Sequence, residues 1–166
     1  MKDILKSRSF IQLATLSVLM TLASSGKAQE RIRFHGTIEG AETQSINFPK
    51  MQVTGAATAS AKALGKFSVI TQHDVFLITG VGVGSAVFDA GNGDKLYTSI
   101  HAVGIPTGIG STFQVTEHHT ILDGTGRFSG ATGSFKLIRL IDNTLSWSGT
   151  FEGTIRLGRE TGDEKE

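Results

Sequence analysis

The chain has no cysteine, and this absence limits both its fold and its chemistry. Its 166 residues also include only two prolines, one tryptophan and one tyrosine. Without cysteine there can be no disulfide, no thiolate metal ligand and no cysteine-linked lipid anchor. A folded form must therefore be stabilised by core packing and backbone hydrogen bonds.

The chain also lacks an excess of charge of either sign. It contains 16 Lys and Arg against 15 Asp and Glu, and four of these basic residues but one acidic residue lie within residues 1–28. The remaining residues include 12 basic and 14 acidic side chains, a net charge of −2. Because no basic patch is left, we expect neither nucleic acid nor an acidic membrane as a partner of residues 29–166.

The first 28 residues have the layout of a secretory signal peptide. Basic residues near the N-terminus precede a mostly apolar stretch over residues 10–23, and Gly26 and Ala28 are small residues placed as signal cleavage requires. The stretch is short for a membrane span, and an uncleaved anchor is the alternative. We predict a signal peptide at residues 1–28, one domain at 29–157 and a charged flexible tail at 158–166, and hence export to the periplasm or the medium.

What the sequence does contain is glycine, with 21 residues placed between short stretches that alternate apolar and polar side chains. Alternation with period 2 indicates half-buried strands, and Asn-Gly within residues 91–94 is typical of a hairpin turn. These patterns predict an all-β domain whose antiparallel strands lie at residues 29–39, 55–63, 66–75, 81–89, 95–105, 111–122, 134–142 and 145–157, with a loop at 40–50. For the small residues at 55–63, a low-complexity linker is the alternative. Eight strands can close into a barrel without exposed edges; a two-sheet sandwich is the competing architecture.

A glycine-rich stretch at residues 123–135 is the strongest local signal. Gly124, Gly126, Gly130 and Gly133 surround Phe128. Glycine reaches positive φ without a steric penalty, so the stretch predicts a tight corner between two strands, fixed by one buried aromatic ring. A phosphate-binding loop would instead need Gly-Lys-Ser or Gly-Lys-Thr at the start of a helix, and a strand pattern follows here.

The predicted strand at residues 111–122 carries the candidate catalytic pair. Glu117 and His119 share one face with the apolar residues Phe113 and Val115. If that face points into a barrel, a carboxylate and an imidazole lie side by side in a desolvated place, where they could act as general acid and base in a cofactor-independent cyclase or isomerase. The alternative is that both lie at the barrel mouth, partly hydrated and without a catalytic role.

Four residues are candidate ligand contacts. Phe113 and Val115 belong to the apolar face of that strand. Tyr97 and His101 share one face of the preceding strand, which would line a cavity if it points inward and would be solvated if it points outward.

The sequence contains no recognisable cofactor or metal motif. Its five histidines do not show metal-ligand spacing, and the adjacent His118 and His119 would face opposite ways on a strand. No Gly-x-Ser-x-Gly motif of a serine hydrolase occurs either. We therefore expect no metal and no organic cofactor.

Three stretches resemble a known group of proteins. They are residues 124–135 (G-T-G-R-F-S-G-A-T-G-S-F), 91–97 (G-N-G-D-K-L-Y) and 149–155 (G-T-F-E-G-T-I). They resemble small secreted bacterial proteins of unassigned function that are themselves similar to the allene oxide cyclase and dirigent superfamily. The resemblance covers roughly residues 55–157. It departs at Lys62-Ala63, since bacterial relatives often have Thr-His there before Leu-Gly.

This resemblance implies an eight-stranded antiparallel barrel of the calycin type with an apolar cavity, often in an oligomer. Plant members cyclise a fatty-acid epoxide or direct the coupling of phenolic radicals, without a metal or an organic cofactor. Their catalytic residues do not map onto positions of this chain. We expect an exported barrel that binds a small, largely apolar molecule; the alternatives are a cyclase that uses Glu117 and His119, and a non-catalytic scaffold or homo-oligomer.

Overall fold

Residues 30–158 of the computed structural model form one closed barrel of eight antiparallel strands. Each strand pairs with its neighbours in sequence, and the first pairs with the last. The strands are β1 (Arg31–Asn47), β2 (Lys50–Ala61), β3 (Gly65–Phe76), β4 (Val81–Asp89), β5 (Lys95–Pro106), β6 (Phe113–Gly124), β7 (Thr132–Ile141) and β8 (Ser146–Arg156). The predicted all-β fold with eight antiparallel strands is confirmed, and closure of the sheet decides for the barrel over the sandwich.

The ends of the chain are outside this description. The predicted signal peptide at residues 1–28, and all of the predicted tail except Gly158, lie outside the described residues. Between residues 30 and 158 the structure contains no helix long and apolar enough to span a membrane.

The loop predicted at residues 40–50 is wrong. Strand β1 continues to Asn47 and β2 begins at Lys50, so only a two-residue turn separates them. The prediction failed because Glu42, a charged residue at an inward position, interrupts the expected alternation. In the structure Glu42 is buried and its charge is matched by Arg139.

One half of the barrel is filled by phenylalanine rings. Phe34 lies at the centre of this half, with ring-centroid distances of 4.7 Å to Phe151, 5.0 Å to Phe135 and 6.2 Å to both Phe67 and Phe88. Most of these pairs have the edge-to-face geometry that aromatic rings prefer. Each buried ring contributes roughly 1.5–3 kcal/mol, so this half supplies much of the driving force for closure.

The glycine-rich corner closes the same end of the barrel. A short 3-10 helix, Gly126–Phe128, places Phe128 in full burial under the corner, with its ring 6.0 Å from Phe67. The predicted corner with one buried aromatic is thus confirmed. Gly133 has φ of +139°, and a Cβ there would collide with the carbonyl oxygen of Thr154 on the neighbouring strand.

We expect Gly133→Ala to destabilise the barrel by more than about 3 kcal/mol, because the backbone conformation and the close contact with β8 both exclude a side chain. Gly65→Ala is the matched control, since Gly65 also has positive φ (+87°) but has no atom within 4 Å of an added Cβ. That control should cost about 1–2 kcal/mol. Urea unfolding of both variants measures the difference, and equal losses would contradict the role assigned to the corner.

Candidate functional site

A cavity of about 330 Å³ lies in the other half of the barrel. It opens at the end formed by the turns that follow β1, β3, β5 and β7. Space remains there because the inward residues of β4 and β5 at this end are small: Gly82, Ala102 and Gly104 border the cavity.

The cavity has apolar walls and a polar floor. Valine, leucine and isoleucine side chains make up much of the wall, together with Met51 and Phe113 near the mouth. The floor consists of Glu42, His73 and Arg139, three buried side chains that border the cavity from β1, β3 and β7. A concave apolar site with few polar groups is the usual form of a small-molecule site.

The mouth of the cavity is surrounded by exposed apolar side chains. Phe48, Ile78 and Ile109 are each more than 70% exposed and lie in three different turns at this end. Phe113, at the start of β6, is 46% exposed and borders the cavity itself. The route into the cavity therefore passes over an apolar surface.

Two of the three floor residues, Glu42 and Arg139, belong to a hydrogen-bonded chain of six side chains, which we call the polar network: Thr98, His119, Glu117, Arg139, Glu42 and Gln44. The hydroxyl of Thr98 lies 3.0 Å from Nδ1 of His119, and Nε2 of His119 lies 2.9 Å from Oε2 of Glu117. Arg139 donates from Nε to Oε1 of Glu117 and from Nη1 to Oε2 of Glu42, both at 2.7 Å. Gln44 donates to the other oxygen of Glu42 at 2.8 Å.

The contacts of His119 fix its orientation. An ionised carboxylate can only accept, so the proton between His119 and Glu117 is on Nε2. The imidazole also stacks on the ring of Phe135, with 4.3 Å between centroids and 12° between planes. His119 is thus immobilised at the boundary between the polar network and the aromatic half.

Arg139 connects the two buried carboxylates of the polar network. Its guanidinium contacts both buried carboxylates and lies over the ring of Trp147, 4.6 Å from the centroid. Burial alone raises the pKa of Glu117, but the hydrogen bond from His119 and the charge of Arg139 outweigh burial and lower that pKa to about 2. Glu117 therefore stays ionised throughout the physiological range.

His73 differs from the network residues in lacking a partner. It is 7% exposed, and its Nδ1 has no hydrogen-bond partner among residues 30–158. Burial lowers the pKa of His73, because a protonated imidazole would lose its hydration; the nearby Glu117 and Glu42 act in the opposite direction and Arg139 in the same one. His73 is therefore an uncharged imidazole beside the cavity.

The structure brings some of the predicted site residues to the cavity and not others. Val115 and Phe113 line it. Glu117 and His119 point inward and are each 1% exposed, so they are not at a hydrated mouth; they lie beneath the floor and do not line the cavity. Their catalytic role stays a prediction.

Tyr97 and His101 must be corrected as cavity residues. Both lie on the outer surface of β5 and are exposed, whereas Leu96, Thr98 and Ile100 point inward. The sequence shows clearly that the side chains of this strand alternate between two faces. Which face points into the barrel depends on the register with β4 and β6, and the sequence alone did not fix that register.

Sequence reasoning missed the three residues of the floor. The sequence pattern puts Glu42 in a loop, and it singles out His73 only as one of five histidines without metal-ligand spacing. Arg139 lies in an alternating strand between the inward residues Leu137 and Ile141, and that position was the signal that could have identified it. In the part of the chain that the structure describes, no three His, Asp or Glu side chains are grouped as metal ligands would be.

Comparison with models of protein families, with curated proteins and with solved structures found no match to this chain. The barrel itself is established by the strand pairing, and the site must be interpreted from its own geometry.

We expect Arg139→Met to destabilise the protein by about 3–5 kcal/mol at neutral pH, because it leaves Glu42 and Glu117 as unpaired buried carboxylates. The loss should be smaller at about pH 5 than at about pH 8, since an unpaired buried carboxylate takes up a proton more readily. The matched control is Arg33→Met, which removes the exposed ion pair with Glu152 and should cost less than about 1 kcal/mol. Urea unfolding at both pH values measures this, and equal losses in the two variants would contradict the role of Arg139.

We expect His73 to make the fold less stable as the pH falls. Its pKa is lowered from 6.5 in the folded protein, so the unfolded chain binds the proton more readily and stability is lost below the unfolded pKa. His73→Gln should therefore weaken the dependence of the unfolding midpoint on pH between about pH 7.5 and about pH 5.5. His101→Gln, on the outer surface, is the matched comparison; the same pH dependence in both variants would count against this assignment.

Proposed function

We propose that the protein is exported and binds one small, largely apolar molecule in its barrel. The observation that carries this proposal is the cavity of about 330 Å³, with apolar walls, an apolar mouth and three polar side chains on its floor. Its volume is at the small end of the range of about 300–1,000 Å³ that is typical of ligand pockets. The signal-peptide pattern of residues 1–28 supports export.

We also propose a relation to the allene oxide cyclase and dirigent superfamily. Two features support it: the closed barrel of eight antiparallel strands, and the glycine-rich corner that closes one end over Phe128. The relation says little about activity, because one barrel scaffold can carry many different functions.

A cofactor-independent cyclase is the second candidate. An acid or base must come within hydrogen-bond distance of its substrate, and Glu117 and His119 are separated from the cavity by the floor residues. Chemistry in this cavity would instead involve His73 or Glu42, which border it. The position of His73, an ionisable side chain in the lining of the cavity, is the observation that favours keeping this candidate.

A scaffold or homo-oligomer without a ligand is the third candidate. The exposed apolar residues around the mouth, such as Phe48 and Ile109, would be the surface that another copy covers. In that case the assembly would close off the cavity. A small molecule in the cavity would favour the binding function, and an empty cavity would favour the scaffold.

Native mass spectrometry of the protein from its host's exported fraction tests the proposal, and we expect a retained small molecule. Gly104→Leu should abolish retention, because Gly104 borders the cavity and an added Cβ meets no atom closer than Val115 at 3.7 Å. The fold should be kept or slightly stabilised, since glycine in a strand interior costs conformational entropy. Val103→Leu, one residue away on the outer face, is the control and should retain the ligand.

An empty barrel that also fails to bind fatty acids, alcohols and phenols would contradict the proposal and favour the scaffold. Equal retention by the wild type and Gly104→Leu would place the ligand elsewhere.

A further inference from the structure

The floor of the cavity and the side chains directly beneath it hold two carboxylates, Glu42 and Glu117, but one guanidinium, that of Arg139. Glu42 and Glu117 are both paired with Arg139 at 2.7 Å, and the side chains of all three are at most 3% exposed. Two carboxylates thus share one guanidinium. Because little water screens buried charges, their unequal number acts on whatever enters the cavity.

Arg139 has limited capacity to hold an acidic ligand. Its Nε donates to Glu117, its Nη1 donates to Glu42, and its face is covered by the ring of Trp147. Within residues 30–158, Nη2 has no hydrogen-bond acceptor. A carboxylate is held best by two parallel N–H groups, whereas a hydroxyl or carbonyl oxygen needs only one. Two of the five N–H groups of Arg139 are thus used, and both serve carboxylates, so an acidic ligand would compete with Glu42 and Glu117 for the same guanidinium. An uncharged oxygen can accept from one of the N–H groups that are left without adding a negative charge.

His73 adds no positive charge that could hold an acidic ligand. It borders the cavity, and burial lowers its pKa, so its imidazole is uncharged. Its unpartnered Nδ1 is itself shielded from the cavity and is not a ligand contact. An ionised carboxylate that entered the cavity would add a third negative charge close to Glu42 and Glu117.

We propose that the cavity selects apolar molecules that end in an uncharged hydroxyl or carbonyl group over molecules of the same length that end in a carboxylate. The inference rests on the proposed binding function and narrows it to a class of ligand. The residues that set the preference are Glu42, His73 and Arg139.

The test displaces a neutral fluorescent probe, N-phenyl-1-naphthylamine, from the wild-type protein with decanol, decylammonium or decanoate at about pH 8, where the last two are ionised. Both ions lose hydration on entering, so the difference between them reports the sign of the field in the cavity. Decanol should bind most tightly, and decylammonium should bind at least about tenfold more tightly than decanoate.

Decanoate binding as tightly as decylammonium, or more tightly, would overturn the inference while leaving the binding function intact. Failure of the probe and of all three compounds to bind would instead overturn the binding function itself. The two failures are therefore distinguishable in one experiment.

A single substitution tests which residue disfavours carboxylate ligands. Glu42→Gln keeps the size of the side chain and an oxygen for Arg139, and it should strengthen decanoate binding relative to decanol binding about tenfold. Glu39→Gln makes the same change of charge on the exposed outer surface of the same strand and should change neither. An equal gain in both variants, or no gain in a folded Glu42→Gln protein, would contradict the role of Glu42. If Glu42→Gln does not fold, the comparison of decylammonium with decanoate in the wild-type protein still tests the proposed ligand preference.

Discussion

The structure depends on the narrow interior of a closed eight-stranded barrel. Such a barrel is only wide enough to be filled by its own side chains or to hold one small ligand, so the size of each inward residue decides which of the two occurs. Phenylalanines from five strands fill one half around Phe34. In the other half Gly82, Ala102 and Gly104 leave a cavity. The same eight strands thus enclose both a hydrophobic core and a cavity.

The polar network joins these two halves and is difficult to explain by stability alone. Replacing a buried ion pair with well-packed apolar side chains is often neutral or stabilising, because charges lose hydration when they are buried. Here three charged side chains lie beneath an apolar cavity, and two of them, Glu42 and Arg139, border it. Under the proposed binding function, Glu42 and Arg139 would recognise the polar end of the ligand, and Glu117 and His119 would position Arg139.

The cavity, rather than the fold, supports the functional proposal. A closed barrel occurs with many activities, and the glycine-rich corner that resembles the cyclase and dirigent group closes the end away from the cavity. The evidence for binding is instead local: apolar walls, an apolar mouth and a floor of three polar side chains. These features also determine which ligands to test.

The sequence by itself determined the strand content, the positions of most turns and the buried corner around Phe128, because alternation and glycine placement are local properties of the chain. It also placed Glu117 and His119 on one face with Val115, but it left open whether that face points into the barrel. Only the tertiary structure decided that Tyr97 and His101 point outward and that Glu42, His73 and Arg139 meet. These three residues come from β1, β3 and β7, and closure of the barrel alone brings strands so distant in sequence around one space.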